Sequence, residues 1–162
     1  MLAFKTILHP TDFSERSALA LRLAGALARD HGARLVILHV AVPPPAIMME
    51  GVAVPAAEID LKPLWAQLRK VKPADAVPVD YQLVEGDPAA EVMRIADEIG
   101  ADVIVMGTHG RTGLGRLLMG SVAEQVVRKA TCPVLTVKAP HAAPPAAQAM
   151  PAEDAEALAA VR

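Results

Sequence analysis

Along the chain, short and nearly continuous apolar runs alternate with stretches in which apolar residues recur every three or four positions. Residues 4–8 (Phe-Lys-Thr-Ile-Leu) stop at His9-Pro10-Thr11-Asp12, turn chemistry that predicts a strand ending in a loop. From Ser14 to about His31, the positions Ala18, Leu19, Leu23, Ala26 and Leu27 repeat at helical spacing, and Gly32 stands where a helix would stop. Arg34–Val40 predicts a second strand, its unbroken apolar run suiting burial on both faces. Residues 43–57 carry Pro43, Pro44, Pro45, Gly51 and Pro55 and read as a loop without an element of its own. A helix is expected over 58–71, a strand over 77–84, and a helix opening at Asp87-Pro88 and closing at Gly100. Residues 102–106, ending at Gly107, predict a fourth strand, 121–130 a helix and 133–137 a fifth strand.

Strand and helix alternate throughout, which predicts an α/β fold: an open five-stranded parallel sheet with helices on both faces. Such sheets bind ligands at the carboxyl ends of their strands, near a topological switch point. The loops after Leu8, Val40 and Met106 therefore become the candidate site. Beyond Lys138 the composition turns to Ala and Pro, which divides the chain into a domain over 1–138 and a tail over 139–162. Residues 139–151 read as a linker, and 152–161 are too few for an isolated stable helix.

Composition narrows the function classes. Hydrophobic residues make up 53% and aromatics only 2%, so the core must be built from Val, Ile, Leu and Ala. A net charge of −2 lacks the basic excess of a general nucleic-acid or anionic-membrane binder. Cys132 is the one cysteine, which excludes an intramolecular disulfide and a Cys-rich zinc site. No signal peptide and no run of roughly 18–20 apolar residues is visible, so a cytoplasmic protein is expected.

The chemistry concentrates after the fourth strand. Gly107-Thr108-His109-Gly110-Arg111-Thr112-Gly113-Leu114-Gly115 places four glycines in nine residues, followed by Gly120-Ser121 at the start of a helix. Glycines permit close backbone approach, consecutive amides make an anion-binding concavity, and a helix N-terminus adds unpaired N–H groups. Phosphate is the guest this predicts. A P-loop is excluded because Gly115 precedes Arg116-Leu117 rather than Lys-Ser/Thr, and a dinucleotide fingerprint starting at Gly113 fails at Leu118.

What fits is Gly107-x2-Gly110-x9-Gly120-Ser121. With Pro10-Thr11-Asp12-Phe13-Ser14, Leu38-His39-Val40, Glu85-Gly86-Asp87-Pro88 and Pro133-Val134-Leu135, it makes residues 3–138 resemble the universal stress protein family, in particular its ATP-binding branch. The resemblance implies a Rossmann-like fold of the adenine-nucleotide alpha-hydrolase type, and ATP with accompanying Mg2+ as ligand. It implies that Asp12 faces the adenosine, with Pro10 and Thr11 shaping the wall, and that the Val40 backbone reads the adenine edge. Met106 and Gly107 would line the floor, while Gly110, Gly120, Ser121 and Val122 wrap the phosphates. It implies a homodimer through the last strand, Pro133 to Val137, and a protein partner whose identity the sequence does not carry.

Plainer roles stand beside these. Asp12 with Glu15 at the third position would N-cap the first helix, and Ser121 with Glu124 matches a capping box. Arg111 and Arg116 suit either phosphate or solvent; His109 reads as a backbone element of the loop, with phosphate contact or proton transfer as the alternative. The histidines lack metal-binding spacing, Cys132 reads as a small hydrophobe, and Leu64 and Trp65 read as core. Met48 and Met49 suit a ligand cover or a partner-facing patch. Three functions follow: a nucleotide-dependent regulatory module with at most slow ATP hydrolysis, an ATPase or nucleotidyl-transfer enzyme, and a nucleotide-independent dimeric interaction module. The enzyme reading lacks an evident base beside the glycines and the Ser-Gly-Gly-x-Asp-Ser loop of ATP-pyrophosphatases.

Overall fold

The computed structural model of the chain describes residues 3–45, 47–49, 52–54, 58–74, 76–108 and 119–138. The aliphatic runs become strands β1 (Thr6–Pro10), β2 (Arg34–Ala41), β5 (Val79–Glu85), β6 (Val103–Gly107) and β7 (Val134–Val137). All pair in parallel, in the order β5-β2-β1-β6-β7. The helices between them are α1 (Glu15–His31), α2 (Leu61–Leu68), α3 (Pro88–Glu98) and α4 (Ser121–Lys129).

Side-chain alternation sorts the core into two layers. Ile7, Leu35, Ile37, Val103 and Val105 face α1 and α2, meeting Ala20, Ala24, Ala28 and Leu68. Leu8, Val36, Leu38, Ile104 and Met106 face α3 and α4, meeting Val92, Ile95, Ala123 and Val126. Alanines on α1 let the helix lie close to the sheet, so a core almost free of aromatics is still fully buried at Ile7, Leu8, Leu35 and Ile37. The chain winds outward from β1 through β2 to β5, then crosses to β6 and β7 with its helices on the other face. The reversal puts the switch point between β1 and β6.

Helix ends follow local chemistry. Ser14 caps α1 by accepting from the Ser17 amide, Asp60 caps α2, and Asp87 caps α3 with Pro88 in its first turn. Gly32 takes the left-handed conformation (φ 63) that ends α1, and Gly100 (φ 60) follows α3. The helix expected over 58–71 is shorter, because Asp60 fixes its start and the chain leaves helical hydrogen bonding after Leu68.

One expectation is corrected. Residues 43–57 are not a loop throughout: β3 (Ile47–Met49) and β4 (Val52–Val54) form an antiparallel pair outside the main sheet. The prolines lie outside the paired segments, and the β-branched residues between them favour extended backbone. The two-residue spacing at Glu50-Gly51 is the hairpin signal that the proline count obscured. The tail over 139–162 lies outside the described residues.

Candidate functional site

A cavity of about 680 Å3 opens at the carboxyl ends of β1, β2 and β6. Pro10, Thr11 and Asp12 reach it from β1, Val40 from β2, Met106 and Gly107 from β6, and Gly120, Ser121 and Val122 from the start of α4. Thus every residue singled out for the site lines this one cavity except Gly110, which lies outside the described residues, as do His109, Arg111 and Arg116.

The β1 wall is built by hydrogen bonds running inward. Thr11 N–H donates to Leu38 O at 2.8 Å, extending the ladder one residue past β1. His9 is fully buried, and its Nδ1 lies 2.8 Å from Val105 O; a carbonyl only accepts, so Nδ1 carries the proton. Nε2 lies 3.4 Å from Ser17 Oγ, which is itself 2.9 Å from Thr11 Oγ1. Burial holds the His9 pKa down to about 4, against smaller upward pulls from Val105 O and the Asp12 charge. Phe13, with φ 64, turns the chain sharply, donates its N–H to Thr11 Oγ1 at 3.1 Å, and packs its ring on His39 at 4.2 Å. His39 Nδ1–H in turn donates to Thr11 O at 2.7 Å.

Asp12 does not cap α1. The cap is Ser14, and Asp12 Oδ1 accepts from Ser14 N–H at 3.1 Å and Ser14 Oγ–H at 2.6 Å. The Phe13 turn delays the helix, leaving Asp12 outside its first turn. Asp12 Oδ2 is buried at the cavity wall with no partner among the described residues. Leaving such an acceptor unmet costs about 1–3 kcal/mol.

Val40 offers backbone rather than side chain. In a parallel strand the peptide groups point alternately to the two neighbours. Leu38 O bonds toward β1, whereas Ala41 O accepts from Gly86 N–H on the β5 side. The Val40 N–H and C=O therefore point to the β1 side, beyond the last β1–β2 bond.

The opposite wall is held by Thr108. Its N–H donates to Val137 O at 3.0 Å, and its C=O accepts from Gly120 N–H at 2.6 Å, so the end of β6 and the start of α4 are pinned together. Gly120 is the N-cap of α4 and supplies no side-chain bond. The expected Ser121–Glu124 capping box is therefore not formed. Ser121 lies inside the helix, so Glu124 N–H is met by Gly120 O and its carboxylate pairs with Arg128 at 3.1 Å. Among the described residues the first-turn amides of Ser121, Val122 and Ala123 have no side-chain acceptor, and all three residues line the cavity.

Several lining residues escaped the sequence reading. Ser17, His39 and Thr108 line the cavity too, each close in sequence to a residue singled out but carrying no pattern of its own. Leu64, expected in the core, lines the cavity instead, because α2 presents it toward the end of β2; Trp65 packs on the core as expected. Cys132 is half-buried against the α3–α4 layer, and burial pushes its thiol pKa up. Met48 and Met49 lie on β3, with side chains outside the description. Among the described residues no cluster of His, Cys, Asp or Glu could hold a metal ion alone, and no helix is long and apolar enough to cross a membrane.

Comparison with known proteins places this geometry. The family model of the universal stress protein family matches residues 3–138. A universal stress protein of Methanocaldococcus jannaschii is 38% identical over 142 residues, covering 85% of this chain and 84% of its own length. One from Thermus aquaticus is 38% identical over 141 residues, covering 83% and 99%. A universal stress protein solved in complex with cAMP is 31% identical with a TM-score of 0.66, covering 85% of this chain and 98% of that one.

Proposed function

Because the chain belongs to the universal stress protein family, we propose that it is an ATP-binding member whose occupied state is read by a protein partner, with at most slow ATP hydrolysis. The observation that carries this reading is Asp12 Oδ2, a buried acceptor without a partner at the wall of a 680 Å3 cavity. A ligand that brings N–H or O–H donors to that edge relieves a group the protein leaves unmet. Adenosine supplies such donors, and the Val40 backbone beside Asp12 suits an adenine edge. At the far side, the uncapped amides of α4 and the positive end of its dipole suit phosphate. Gly107 and Gly120 keep that wall free of side chains, and Gly110 is assigned to the same phosphates. The relative solved with cAMP supports adenine nucleotides as the ligand class.

Mg2+ accompanying ATP would draw most of its oxygen ligands from phosphates and water. The side chains lining the cavity also favour binding over catalysis. Among the described residues its titratable groups are Asp12 and His39, both at the β1–β2 end, away from Gly120. Asp12 Oδ1 is engaged by Ser14 and His39 Nδ1 by Thr11 O. Regulation then requires that ATP bind the partner-competent and partner-incompetent conformations with different affinities.

In this reading, residues 1–138 are the functional domain, 139–162 a tail, and the protein works in the cytoplasm as a homodimer. The dimer would form through Pro133 to Val137: β7 is an edge strand of the sheet, and Leu135 on it is 39% exposed. The test is calorimetric titration of nucleotide-stripped protein with ATP and Mg2+. Micromolar affinity, about −8 kcal/mol, is expected. Absence of heat, with no competition by ADP or AMP, would overturn the reading in favour of a nucleotide-independent dimeric module.

A further inference from the structure

The β1–α1 loop is a partition with a hollow on each side. Behind it, between the start of α1 and the end of α2, lies a second cavity of about 340 Å3, and Thr11 lines both. The floor of this second cavity is apolar, with Leu21 and His9 buried and Phe13 and Val71 half-buried. Its rim is not. Lys70 and Lys72 stand exposed there beside Gln67, and among the described residues no acidic residue lines the cavity and neither lysine has an ion-pair partner. Unpaired positive charge over an apolar floor, in a hollow of ordinary ligand size, is complementary to one kind of molecule.

We propose that this second cavity binds a small amphipathic organic anion, its apolar body against Phe13, Leu21 and Val71 and its anionic head between Lys70 and Lys72. Such a ligand would also act on the nucleotide cavity, because Phe13 lines this second cavity and holds two residues that line the other. Phe13 is the only non-glycine residue with positive φ among the described residues, a conformation that persists only where surroundings enforce it. Its N–H holds Thr11 Oγ1 and its ring holds His39, and both of those residues line the larger cavity. The coupling, unlike the site, rests on the nucleotide reading.

The test uses the full chain, isotopically labelled, titrated with 8-anilinonaphthalene-1-sulfonate while amide resonances are followed. Shifts should centre on Phe13, Ala18, Gln67, Lys70 and Lys72. Replacing both lysines by glutamate should weaken binding about tenfold or more. Lys70→Gln with Lys72→Gln should weaken it less, and Gly120→Asp should leave it unchanged. Shifts centred on Thr108 and Gly120–Ala123, or undiminished binding in both lysine variants, would overturn the site. Repeating the ATP titration at saturating probe should change the ATP Kd at least about threefold. An unchanged ATP Kd would overturn the coupling alone, and absence of ATP binding would count against the nucleotide reading while the probe titration still decides the site.

Discussion

The two walls of the main cavity treat their polar groups in opposite ways. On the β1 side, nearly every donor and acceptor is matched within the protein: Val105 O with His9, Ser17 with Thr11, Thr11 O with His39, and Ser14 with one oxygen of Asp12. Among the described residues, the side-chain atom of this wall left over is Asp12 Oδ2, beside the free Val40 backbone. On the α4 side the reverse holds: Gly120 brings no cap, and among the described residues no side chain meets the first-turn amides. The neighbouring helix α3 sharpens the contrast, since it also reaches the cavity, at Pro88, yet is finished by Asp87 Oδ1 accepting from Ala90 N–H at 2.9 Å. A wall satisfied from within holds a shape; a wall left open takes a ligand.

The largest expected effect breaks the closed wall. His9 has a folded pKa of about 4 against 6.5 for an ordinary histidine, so between those values the unfolded chain binds more protons. Stability therefore rises with pH across that window, is fully present above pH 6.5, and is lost as pH falls toward 4. The difference amounts to about 3 kcal/mol. Denaturant unfolding at pH 7 and pH 4.5 reads it directly, and His9→Gln should lower stability at pH 7 while flattening the dependence.

The next effect closes the open wall. Gly120 has extended backbone angles (φ −73, ψ 153) that any residue can adopt, so Gly120→Asp should fold and make α4 resemble α3. A carboxylate at the cap competes with phosphate for the same amides; ATP affinity should fall about 100-fold, or about 2.7 kcal/mol, with thermal stability unchanged or slightly raised. Asp12→Asn removes the exception on the closed wall. It keeps an acceptor for Ser14 but replaces the unmatched oxygen by an amide, so calorimetry should show about a tenfold loss of ATP affinity without loss of stability. Ser14→Ala should be smallest, costing about 1 kcal/mol through loss of the α1 cap, measured by thermal unfolding.

Sequence pattern carried the five strands of the main sheet and their parallel pairing, though not their order, because a core built from aliphatic runs leaves few competing interpretations. The cavity-lining glycines and Asp12 were legible for the same reason that loops after parallel strands are: they follow the strand ends. The plainer alternatives that the structure sets aside turned on single-residue choices. Ser14 rather than Asp12 caps α1, and Gly120 rather than Ser121 caps α4. In each case two plausible caps stand close together, and the backbone turn that decides between them, such as Phe13 at φ 64, has no signature in composition. The β3–β4 pair hid because three-residue strands between prolines show too little periodicity. The second cavity was not legible at all, since residues 9–21 and 67–72 meet only through tertiary packing.

Thr108 has one further consequence, for how this chain tolerates change. Its N–H is tied to β7 and its C=O to Gly120, so both ends of the intervening stretch are anchored independently of what lies between them. Doubling the length of such an excursion adds only about 0.6 kcal/mol of closure entropy. Insertions between residues 109 and 118 should thus leave the sheet in register, while breaking the Gly110-x9-Gly120 spacing assigned to the phosphates.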